Sequence, residues 1–157
     1  VAVIVIGFLR SSGSRSGFAS PRDVLFVLNW GQIPTDQKYQ VLHSYRSPTS
    51  FTGDHCEAYA ISIERFPDSL LQPSQNSPAR WSVSPPTNSV FVEAVRSAYV
   101  NVVSDRQEWF PSPDDLLSDR FYLSFWRVVL TPPSVQSAQI LAYDRKNHTL
   151  YYVSFKV

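Results

Sequence analysis

The chain has 157 residues, 43% of them hydrophobic and 14% aromatic, with 14 Lys plus Arg against 13 Asp plus Glu for a formal net charge of +1. This composition excludes a disordered chain, and basic residues scattered among acids, with no run or stripe, exclude the electrostatic footprint of a nucleic-acid-binding protein. Cys56 is the single cysteine, so neither an intrachain disulfide nor a four-cysteine zinc site can form.

The chain opens on an uncharged run, Val1 to Leu9, that ends at Arg10 and leads into a Ser/Gly/Arg stretch through Gly17. As a helix this run would be roughly 14 Å long, whereas a hydrocarbon core is about 30 Å thick. The expectation is that residues 1–9 are the end of a membrane anchor, residues 10–21 a flexible linker, and residues 22–157 a single domain. A Val/Ile-rich N-terminal strand is the alternative, but a core strand is ordinarily followed by a short turn, not a tether. Arg10, Arg15 and Arg22 taken alone favour a cytoplasmic domain, yet the positive-inside tendency compares two flanks. By analogy of architecture with bacterial envelope accessory proteins, the domain is expected on the periplasmic or extracytoplasmic side.

Asp23 to Leu28 is a short apolar run closed by Asn29-Trp30-Gly31, which reads as a strand. Lys38 to Tyr45 is a second strand, with Tyr39, Val41, His43 and Tyr45 on one face. Glu57 to Glu64 is a third: Tyr59, Ile61 and Ile63 share one face, and the small residues Ala58, Ala60 and Ser62 leave the other open to close packing by a helix. Five prolines between Phe66 and Pro86 demand a loop, with a brief edge strand at Arg80 to Val83. Val90 to Val103 is the main helix, capped by Thr87 or Asn88, with Phe91, Ala94, Val95, Ala98 and Val102 on one face. Asp114 and Asp115 read as the acidic first turn of a short helix. Three strands close the chain, Arg120 to Leu130, Ser137 to Tyr143 and Thr149 to Lys156, the last two a hairpin with His148 in its turn. The order implies an α+β domain: an antiparallel sheet of about five to six strands with one main helix packed on one face, preceded by the apolar N-terminal segment.

Two clusters carry candidate chemistry. Asp54, His55 and Cys56 precede the third strand, and His43 lies on the second. Were they to meet, Cys56 would be a nucleophile, His43 or His55 its base and Asp54 the orienting acid, as in a small hydrolase or thiol enzyme. The same histidines with Asp54 and Glu57 offer metal-ligand types, but the spacing matches no short signature, so neither metal nor cofactor is expected. The second cluster is aromatic: Trp109, Phe110, Trp126 and Tyr152, with Arg127 and Arg106, have the composition of a protein interface. No family motif is recognised. The expected function is therefore a non-catalytic, membrane-tethered binding or accessory domain for a protein partner, with the thiol enzyme as the alternative.

Overall fold

The computed structural model describes residues 19–48, 50–73, 80–104 and 107–157. The segments read as anchor and most of the tether, Val1 to Leu9 and Arg10 to Phe18, lie outside the described residues. Among those described, no helix is long and apolar enough to cross a membrane.

The first element corrects the expectation of a strand at Asp23 to Leu28, because this segment lies within helix α1, Pro21–Gly31. Local chemistry explains the helix. Ser20 caps it reciprocally with Asp23: the Ser20 N–H donates to Asp23 Oδ2 at 2.8 Å while Ser20 Oγ accepts from the Asp23 N–H at 3.3 Å. Pro21 at the first helical position has the φ a helix needs and no N–H to leave unpaired. The buried residues Val24, Val27, Leu28 and Gly31 then recur at three and four. At the far end Gln32 turns the chain at φ 56°. A Cβ on Gly31 would come within 3.1–3.2 Å of Ile33, Leu141 and Trp81, so the bare glycine lets the helix end sit directly on the sheet.

The remaining elements are β1 (Tyr39–Arg46), β2 (His55–Ile63), a 3₁₀ turn at Asp68–Leu71, β3 (Ser82–Val83), α2 (Ser89–Val103), α3 (Pro113–Leu116), β4 (Phe121–Thr131), β5 (Ser134–Asp144) and β6 (Thr149–Lys156). They form one six-stranded antiparallel sheet in the order β1-β2-β6-β5-β4-β3. The expected α+β architecture is thus present, including the edge strand β3, the terminal β5–β6 hairpin and the acidic first turn of α3. Asn88 Oδ1 accepts from the Val90 N–H at 2.9 Å to cap α2.

Helices cover both faces of the sheet. On one, Ala94, Val95, Ala98 and Val102 of α2 pack with Ala58, Leu123, Ile140 and Val153. The small side chains of β2 allow that approach. On the other, Val24, Val27 and Leu28 of α1 pack on Tyr59, Ile61, Leu141, Leu150 and Tyr152. Both faces of β6 are therefore buried, where the sequence marks only one as fully apolar. Trp81, 1% exposed, ties the loop before β3 to α1 by donating Nε1–H to Gly31 O at 2.9 Å. Across the hairpin end, Arg120 Nε donates to Asp144 Oδ1 at 2.7 Å and Arg120 Nη2 to Oδ2. Asp144 is fully buried and also accepts from the Lys146 and Asn147 N–H groups.

Candidate functional site

Strands β1 and β2 do form a hairpin, but its register separates the residues of the thiol reading. His43 lies opposite Ala60, whereas Ser47 N donates to Cys56 O, so His43 and the thiol are about 13 Å apart along the ladder at 3.3 Å per residue. A bulge after Val41 also breaks the expected four-residue face: Tyr39 and Val41 pack toward α1, and Tyr45 packs toward α2. Cys56 joins the α2 core at 5% exposure, while His55, its neighbour in an extended strand, projects to the opposite face. Burial first, and then the charge of Glu57, push the thiol pKa up to about 12. His55 Nδ1 lies 3.1 Å from Gly53 O, and Asp54 is held in its own turn by Ser50 and Thr52. His43 stacks on Trp109 with centroids 5.1 Å apart and planes 8° apart, and desolvation lowers its pKa. Among the described residues, no three His, Cys, Asp or Glu side chains converge as metal ligands would.

The aromatic candidates divide. Phe110 and Tyr152 are core residues at 4% and 1% exposure, a correction to their reading as a binding surface. Phe110 packs in the α2 core, and the Tyr152 hydroxyl donates to Glu57 Oε1 at 3.3 Å. Trp109 is half-buried against His43 and Phe110. Arg106 lies outside the described residues. Trp126 and Arg127, by contrast, are exposed. A bulge between Phe125 and Arg127 leaves both on the α1 side: Trp126 stacks on Trp30, and Arg127 sits opposite Gln139, which shares a face with Leu141.

The surface has members that the sequence pattern did not mark. Trp30 and Trp126 stack with centroids 4.7 Å apart and planes 1° apart, Arg80 lies 4.0 Å over the Trp126 ring, and Phe26 contacts Trp30 with centroids 5.1 Å apart. Phe26 and Trp30 are one turn apart on α1, an i, i+4 pair that becomes visible only once the segment is read as helical. Phe26 is 52% exposed and Trp126 39%.

Beside this stack α1 leaves part of the sheet uncovered. The strand ends form an open groove of about 420 Å³ floored by Ser137, Gln139 and Ser154, with Arg127, His55 and Lys156 around it. At the start of α1 a polar ridge closes the layer. Arg46 Nη2 donates to Glu57 Oε2 at 3.0 Å and to the Tyr59 hydroxyl at 2.8 Å, Tyr59 donates to Glu57 at 3.2 Å, and Asp23 lies 3.8 Å from Arg46. Burial and the Glu57 charge push the Tyr59 pKa up to about 12.

Comparison with protein-family models, curated proteins and solved structures gives no match to this chain.

Proposed function

We propose that this protein is a non-catalytic, membrane-tethered binding domain that recognises a protein partner through the α1 side of its sheet. The observation that carries the reading is the partly exposed cluster of Phe26 and Trp30 on α1 and Trp126 on β4, with Arg80 from the loop before β3 over Trp126, beside an open groove. Tryptophan and arginine held in fixed rotamers lose little conformational freedom on binding, which is why they dominate the energetics of protein interfaces. The membrane part of the proposal rests on Val1 to Leu9 and the adjoining Ser/Gly/Arg stretch. A bacterial envelope setting, with the domain periplasmic or extracytoplasmic, agrees with that arrangement.

The test pairs Trp126→Ala with Phe26→Ser in the full-length protein expressed in its own cells. A stoichiometric partner that co-purifies with wild type, is lost from the double variant, and is retained by a variant altered on the opposite side at Val100 is the expected result. Equal recovery from all three contradicts the reading. Carbonate washing of membranes tests the tether: the protein as made in its own cells is expected in the pellet, and the described domain alone, begun at Ala19, in the supernatant.

A further inference from the structure

We infer that the groove beside α1 receives an extended acidic segment of the partner, one carboxylate meeting Arg127 and a second, four residues away on the same face, meeting Lys156. This rests on the proposed recognition surface and names what it takes.

Charge is the first argument. Arg127 and Lys156 border the groove, and none of its lining residues is an aspartate or glutamate. Arg127 forms no ion pair among the described residues. The neighbouring acids are engaged elsewhere: Glu57 is held by Arg46, Tyr59 and Tyr152, and Asp54 by Ser50 and Thr52, although its charge is felt by Lys156 and His55. The lining offers the hydroxyl and amide groups of Ser137, Gln139 and Ser154 to a peptide backbone, with Val129 and Val157 beside them for its apolar side chains.

Geometry is the second. Arg127 on β4 is in register with Gln139 and Ser154, while Lys156 on β6 is level with Ser137 and Val129, one same-face step further along. Two strand spacings across and two residues along place their Cα atoms about 12 Å apart, which the same-face spacing of four residues of extended chain, about 13 Å, matches. A helical segment would cover only about 6 Å in four residues and would not reach both cations with successive acids. Charge-assisted hydrogen bonds from the guanidinium fork would fix one end, and the Lys156 ammonium would hold the other as a point charge.

A random heptapeptide library displayed on phage is the probe, selected on the full-length protein at low salt. The expected result is enrichment of sequences with two acids four positions apart. Their binding should fall about tenfold or more on Arg127→Glu combined with Lys156→Glu, and weaken with added salt. Thermal melting of that variant, and the milder Arg127→Gln, establish that the fold persists. Enriched sequences without acid pairs, binding unmoved by charge reversal, or no enrichment at all overturns the inference. Peptides that survive charge reversal but are lost with Phe26→Ser and Trp126→Ala would leave the recognition surface standing and remove only its acidic ligand.

Discussion

Trp126→Ala distinguishes an exposed recognition aromatic from a structural one, and its cost can be worked from the contacts. The indole makes one parallel stack with Trp30 and one cation–π contact with Arg80, at 39% exposure. An aromatic pair contributes about 0.5–1.5 kcal/mol beyond area burial, and a cation–π contact at a surface site about 0.5–1 kcal/mol. Their removal costs about 1–2.5 kcal/mol, and the apolar area given up by a side chain about three-fifths covered adds roughly 2 kcal/mol, about 3–4.5 kcal/mol in all. Trp81→Ala is the control. Its side chain is 1% exposed and its N–H satisfies Gly31 O, so truncation leaves both a cavity, about 3–5 kcal/mol, and an unpaired carbonyl, about 1–3 kcal/mol, and should cost about 4–8 kcal/mol. Urea unfolding followed by circular dichroism, with amide spectra of the native states, measures both. A Trp126→Ala loss equal to that of Trp81→Ala would show that the stack is structural and refute its assignment to recognition.

Cys56 should react slowly with Ellman's reagent in the native state from pH 7 to 9 and quickly once unfolded; fast native labelling near neutrality would contradict the buried position. Because its folded pKa is raised to about 12, the unfolded thiol loses its proton first, so Cys56 contributes a fall in stability as pH climbs above about 9. Cys56→Ala should flatten that alkaline slope. Burial alone would raise the Asp144 pKa, but the Arg120 bonds and two backbone N–H groups outweigh it and leave the value lowered. Its stabilising contribution is therefore present above about pH 4, the unfolded value, and is lost as pH falls through the folded one. Asp144→Ala should cost about 1.5–3 kcal/mol at neutral pH, since the Arg120 left behind is about a third exposed, measured by denaturant unfolding, and reduce the acid dependence of stability. Ser124 Oγ is buried with no hydrogen-bond partner among the described residues, so Ser124→Ala should leave the melting temperature unchanged or raise it. A loss above about 1 kcal/mol would reveal a bond to this hydroxyl.

Periodicity made the sheet legible wherever strands lie in one register, as in β2, β5 and β6, and apolar spacing with the Asn88 cap identified α2. It failed at α1 because Asp23 to Leu28 is a continuous apolar run whose length suits either element. The Ser20–Asp23 capping box and Pro21 hold the information that decides it. The misreading hid the aromatic surface, since Phe26 and Trp30 share a flank only on a helix. Bulges at Leu42 and Trp126 add one residue each and reverse the face of every later residue in the strand, so alternation alone could not place His43, Trp126 or Arg127. The proposed triad depended on strand register, which sequence proximity does not specify.

A photo-crosslinking amino acid introduced at Val129, beside Arg127 in the groove, or at Val100 on the exposed side of α2, tests recognition in the intact protein within its own cells. The proposed surface requires one discrete adduct from position 129, abolished by Trp126→Ala, and none of the same mass from position 100. Adducts that are equal at the two positions, or confined to position 100, would place recognition elsewhere on the molecule.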